Sequence, residues 1–163
     1  MIGALACEAA YGVGIAVAAV FAALSALHVY WALGGTVGVA GAIPERPAAR
    51  GDADDTRTPV KVFHPPAAMT LLVAGALAAV SALVSLRAGL FGSVRTDWLL
   101  RGSLAGVAVI LIARAVGDLN LVGFFKKLKG TRFAILDTWL YSPLCTVLAL
   151  GMASLALSTD CQS

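Results

Sequence analysis

Charge is scarce in this sequence. Of its 163 residues, 13% are Asp, Glu, Lys or Arg and 60% are hydrophobic, and the mean hydropathy is +0.88. A water-soluble domain draws roughly 25% of its residues from those four charged types. This deficit excludes a chain whose surface meets water throughout and makes lipid the main solvent. The formal net charge of +3 is small, and the basic residues lie next to helix ends, where membrane lipid headgroups are the expected partner. No nucleic-acid partner is expected.

Histidine and cysteine are scarcer still. The two histidines, His28 and His64, have no metal-ligand spacing, and a bis-histidine haem would have to use both, one from a helix end and one from a loop. Cys7, Cys145 and Cys161 are too few for a disulfide framework, and no Cys-x-x-Cys is present. The expectation is therefore no metal, no cofactor and no thiol redox chemistry. Cys7 and Cys161 would pair only across one oxidising face.

What the sequence does have is long apolar runs. A bilayer core of ~30 Å needs about 20 apolar residues per helix, which predicts helices at about 11–33, 67–86, 97–118 and 136–157. The fold class read from this pattern is all-α: an integral membrane four-helix bundle, one transmembrane domain over residues 1–163 with no room for a soluble domain. The first run lacks a basic leader, so it reads as a retained helix and not a secretory signal. Gly34-Gly35 is placed to end the first helix, and Pro65-Pro66 to open the second. Pro143 lies inside the fourth, where it should free a backbone carbonyl near Trp139. Between the first two helices runs a solvated loop, residues 36–66, with Pro44, Pro47 and mixed charges including Asp54, Arg57 and Lys61.

Lysine and arginine distribute eight to three. Arg46, Arg50, Arg57, Lys61, Lys126, Lys127, Lys129 and Arg132 follow helices one and three; Arg87, Arg95 and Arg101 lie on the other side. The bias puts the two richer loops in the cytoplasm and both termini outside a multi-pass cytoplasmic membrane protein.

That topology gathers the polar residues at one depth. His28, Tyr30 and Trp31 end helix one, Arg114 and Asp118 end helix three, and Asp137, Trp139 and Tyr141 begin helix four. Ionisable groups at that depth need partners or a wet cavity. Arg114 and Asp118 are four apart and can neutralise each other, which leaves Asp137 as the charge without a partner. Asp137 and Asp118 are the candidate acids and His28 the candidate base. Tyr30, Trp31, Phe124, Trp139 and Tyr141, with Arg114, would surround a substrate, and the aromatic faces could hold a cation. Lys126 and Lys127 would meet an anionic group. Blander readings stand beside each: interfacial aromatics, a packing ion pair, an Asp137 helix cap, and lysines anchored on lipid headgroups.

The strings His28-Val29-Tyr30-Trp31-Ala32-Leu33-Gly34-Gly35, Arg114-Ala115-Val116-Gly117-Asp118 and Asp137 through Cys145 resemble a family of small bacterial four-helix membrane proteins of unknown function. In size and layout the chain is also similar to membrane-bound terpene cyclases of bacterial meroterpenoid pathways, such as that of the drimentines. That resemblance implies an acid that protonates the terminal alkene of a farnesyl chain, aromatic rings that hold the cation, and a base that ends the reaction. Two functions follow as expectations. One is a membrane enzyme cyclising a lipophilic prenyl substrate without a cofactor. The other is a non-catalytic protein that binds lipid or a partner, or a subunit of an oligomeric transporter, its Gly- and Ala-rich helices serving close packing. The sequence leaves the oligomeric state open.

Overall fold

The computed structural model describes residues 2–43, 45–46, 60–61, 65–91, 97–117, 122–126 and 131–158. Its helices are α1 (Ile2–Ala32), α2 (Val39–Ala42), α3 (Ala67–Arg87), α4 (Asp97–Val116), α5 (Arg132–Leu136) and α6 (Ser142–Leu157), with a π-helical turn, Asp137–Tyr141, joining α5 to α6. A two-residue antiparallel ladder pairs β1 (Glu45–Arg46) with β2 (Val60–Lys61), Glu45 opposite Lys61. Four helices are long and apolar enough to cross a membrane: Cys7–Ala32, Ala67–Arg87, Trp98–Val116 and Arg132–Leu157. Large apolar side chains such as Leu72, Val109, Ile110, Val147 and Leu150 are exposed on the outside of the bundle, as lipid-facing positions are. The protein is an all-helical membrane-type four-helix bundle.

Three boundaries differ from the sequence reading, each for a local reason. The first helix already runs from Ile2, because the Ala-rich stretch ahead of Tyr11 contains no proline and its one glycine, Gly3, lies in the first turn. The third stops at Val116 because Gly117 takes φ +83°, a left-handed cap that glycine adopts without strain. The fourth begins at Arg132, because Thr131 Oγ1 accepts the Ala134 amide at 3.1 Å and caps it. The predicted end of helix one is as expected. Gly34, at φ +95°, lets the Gly35 amide bond Tyr30 O at 2.9 Å and the Gly34 amide bond Trp31 O at 3.0 Å, a Schellman closure.

The helices form two antiparallel hairpins. α1 packs mainly on α3 and α4 mainly on α6, and the hairpins meet where α1 touches α6 and α3 touches α4. In the first hairpin Ser25 Oγ donates to Ala74 O and Ser81 Oγ to Ala18 O, both at 2.8 Å. Small residues bring the helices close: a Cβ on Gly14 would overlap Ala88, and one on Gly151 would lie 2.8 Å from Val17 Cγ2. Val17, Phe21, Val84, Leu104, Met152 and Leu155 form the apolar core. Two arginines close the end of the bundle away from the polar cluster. Arg87 Nη2 donates to Ser158 O at 2.7 Å and Arg101 Nη1 to Ala156 O at 3.4 Å, satisfying carbonyls at the C-terminus of α6.

A Ser81→Ala variant should lose about 0.6 kcal/mol of stability, the typical worth of an interhelical side-chain bond in a membrane protein. Reversible unfolding in mixed micelles measures it. A loss above about 2 kcal/mol would mean that the hydroxyl does more than bond Ala18 O.

Candidate functional site: a buried carboxylate and an adjoining cavity

The chain's one fully buried carboxylate among the described residues sits on the π-helical turn. Asp137 is 0% exposed. Its Oδ1 accepts from Arg114 Nη2 at 2.8 Å, and its Oδ2 accepts from Lys126 Nζ at 2.9 Å and from the Gly123 amide at 2.7 Å. All three partners donate, which is the environment of an ionised carboxylate. The sequence reading that left Asp137 without a partner is corrected by this geometry. Two cations converge on it because the connection after α4 folds back under the bundle.

Lys126 is held as firmly. Its Nζ donates to Asp137 Oδ2, to Gly123 O at 3.1 Å and to Thr138 Oγ1 at 2.6 Å, and the side chain is 2% exposed. An ammonium has three donors, and all three are engaged, so Lys126 has none left for the anionic group expected of it. Thr138 Oγ1 in turn donates to Ala134 O at 3.1 Å. Arg114, 34% exposed, turns toward Asp137.

Two glycines make this fold-back possible. Gly117 (φ +83°) and Gly123 (φ +90°) stand backbone to backbone. A Cβ on either would overlap the other strand of the connection, at Val122 O or Val116 O. Their contact lets the Phe124 amide bond Ala115 O at 2.9 Å, closing the end of α4.

The π turn explains what Pro143 does. With no amide hydrogen, Pro143 cannot bond back into the preceding turn, and the helix widens to a π turn over Asp137–Tyr141. The Ser142 amide reaches back five residues to Asp137 O. Tyr141 is thereby directed across to α2, where its Oη donates to Gly41 O at 3.0 Å. Leu136 packs against Gly41 so closely that a Cβ there would meet its Cδ1 at 2.5 Å.

α2 is one wall of a cavity of about 400 Å³ between the end of α1 and the start of α3. His28, Trp31, Val39, Ala42, Met69 and Val73 are among its lining residues. The His28 ring stands edge-on to Trp31, centroids 5.0 Å apart. Its Nδ1 lies 2.8 Å from Leu24 O, and Trp31 Nε1 donates to Val37 O at 2.8 Å. Tyr30 Oη accepts from the Val37 amide at 3.5 Å, its ring lying against Gly35.

The expected residues thus separate into two groups. Arg114, Lys126 and Asp137 meet in the buried cluster, and His28 and Trp31 meet in the cavity, of which Asp137 is not a lining residue. Tyr141 connects the two through α2. Phe124 is exposed, and Trp139 is 80% exposed and faces outward, as an interfacial aromatic does. Asp118 and Lys127, like His64, Cys161 and the centre of loop 36–66, lie outside the described residues. The Gly123 amide and Thr138 were not anticipated. The pair Gly117 and Gly123 and the position of Pro143 six residues after Asp137 are the signals in the sequence that could have found them.

No curated protein and no solved structure matches the chain. A family profile matches residues 21–152, from the middle of α1 to late in α6, and the chain belongs to that family, DUF3995, whose members are described as proteins of unknown function.

Proposed function

We propose that this protein binds a lipophilic molecule of prenyl type in the cavity between α1, α2 and α3, at the cytoplasmic side of a bacterial inner membrane. The observation that carries this reading is the cavity itself. At about 400 Å³ it falls within the range of about 300–1,000 Å³ usual for small-molecule sites, its walls are mostly apolar, and two ring side chains stand at its end. The buried Asp137 cluster is the framework: it holds the π turn, from which Leu136 and Tyr141 hold α2.

The orientation rests on two independent signs. Eight of eleven counted Lys and Arg residues fall in the segments that follow the first and third spans, the mark of a cytoplasmic face. Cys7, near the opposite end of α1, is disulfide-bonded, and disulfides persist in oxidising compartments outside the cytoplasm. Both termini are then extracytoplasmic.

Binding is favoured over proton-initiated cyclisation, because Asp137 is closed off from the cavity and engaged by two cations. His28 is the titratable group that the described lining offers for such chemistry.

Photo-crosslinking in native membranes with a diazirine-bearing farnesyl probe tests the reading. Label should concentrate on Trp31–Thr36 and Met69–Val73, be displaced by unlabelled prenyl compounds, and fall at least fivefold in Val73→Trp, which fills the cavity. Label spread evenly over lipid-facing residues such as Ile110 and Val147, and unchanged in that variant, would refute it. The same membranes, incubated with farnesylated indole, farnesylated diketopiperazine or farnesyl diphosphate, answer the cyclisation question by mass spectrometry and NMR. An isomeric product extends binding to catalysis; its absence leaves the protein a binder.

A further inference from the structure

The polar atoms that line the cavity have already spent most of their donors. Trp31 has a single side-chain N–H, given to Val37 O. Thr70 Oγ1 donates to Pro66 O at 3.4 Å. His28 Nδ1 is 2.8 Å from Leu24 O, and since a carbonyl only accepts, that nitrogen must carry the hydrogen. In the neutral ring the opposite nitrogen, Nε2, then has a lone pair and no hydrogen. What remains for a ligand among the described lining side chains is chiefly acceptors: His28 Nε2 and the lone pairs of Thr70 Oγ1, with the exposed Thr36 hydroxyl able to play either part. No Lys or Arg is among the described lining residues.

We infer that the head of the bound molecule is a hydroxyl group that donates a hydrogen bond to His28 Nε2, so that the ligand class is a long-chain lipophilic alcohol or quinol and not a diphosphate ester. The inference rests on the cavity being the binding site. The apolar walls at Met69 and Val73 take the chain, and the edge-on contact with Trp31 keeps the imidazole in register with the head. A diphosphate in this cavity would bring its charge against acceptors, whereas an alcohol brings the missing donor and little else. A ligand without a donor that covers the part-buried His28 would strip water from Nε2 and give it no partner in return, a costly exchange for a polar atom.

Competition against the farnesyl photoprobe in the full-length protein separates the possibilities. Farnesol and farnesyl methyl ether share the chain and differ in the O–H. Farnesol should compete about tenfold better than the ether, the worth of one hydrogen bond of roughly 1.4 kcal/mol, and farnesyl diphosphate should compete no better than the ether. In His28→Phe, which keeps a ring against Trp31, the alcohol's advantage should vanish while the ether is little changed. Equal competition by alcohol and ether in the unmodified protein, or stronger competition by the diphosphate, overturns the inference and leaves the cavity reading in place. If none of the three competes, the cavity reading falls and takes the inference with it. The alcohol-to-ether ratio in the unmodified protein decides the matter even where His28→Phe does not fold.

Discussion

Replacing Asp137 by Asn should sharply reduce the amount of folded protein in the membrane and lower its midpoint of thermal unfolding in detergent. The carboxylate is fully buried and is the acceptor that Arg114 and Lys126 share. Removing one side of a buried pair leaves the other charge without compensation, at a cost of about 3–5 kcal/mol. That is a large part of the 5–15 kcal/mol that keeps a typical domain folded. Lys126 is the more exposed to this loss, because its side chain is 2% accessible and cannot regain water without opening the loop. The companion variant Lys126→Met with Asp137→Asn separates charge from shape. Removing both charges should recover at least half of the loss, since the penalty comes from the orphaned ammonium and not from missing contacts. Scanning fluorimetry of the three variants reads both steps. An Asp137→Asn protein that unfolds at the wild-type temperature would show that the cluster does not hold the bundle.

The second large effect is expected from the glycines of the fold-back. Gly117→Val places a branched side chain at φ +83°, where an ordinary residue pays roughly 1–2 kcal/mol in backbone conformation, and drives its Cβ into Val122 O. The backbone must separate to admit it. With it go the Phe124 amide bond to Ala115 O and the Gly123 amide bond to Asp137. The expected outcome is a protein as destabilised as Asp137→Asn, and Gly123→Ala should behave alike because its Cβ meets Val116 O. By contrast Gly102→Ala and Gly106→Ala, on α4 with open space around them, should be neutral or slightly stabilising. Hydrogen exchange of the Gly123 and Phe124 amides separates local opening from global loss. Full protection in Gly117→Val would contradict the argument.

The two variants also bear on binding. Both act on the elements that hold α2, so a form of either that still folds should label weakly with the farnesyl probe although neither residue lines the cavity. Tyr141→Phe isolates that link with less damage, because it removes the bond to Gly41 O and keeps the ring that leans on Phe133.

The spans were legible because lipid imposes a simple rule: every backbone polar group must be satisfied within the helix, and every outward side chain must be apolar. Long apolar runs, the Gly34 closure and the proline pair before α3 therefore stood out in the linear chain. The gathering of His28, Arg114 and Asp137 near one end followed from the alternation of four crossings. Pairing among them did not. Arg114 and Asp118, four apart, suggest a pair by helix periodicity alone, and among the described residues Arg114 also takes Asp137, twenty-three residues on. Nor does periodicity announce that Lys126 turns inward beneath a loop, because a lysine beside a helix end reads equally as a headgroup anchor.

The sequence by itself determined the solvent, the number of crossings and the end of the bundle where polar groups collect, since these depend on composition and on spacing along one chain. Tertiary structure alone decided which charges neutralise one another, that Asp137 is closed off while His28 and Trp31 line a cavity, and that a four-residue helix forms its wall. Those outcomes depend on distances between segments far apart in sequence. They are set by two glycines that admit a close backbone contact and a proline that widens one turn, and no local pattern encodes where such a contact or turn will point.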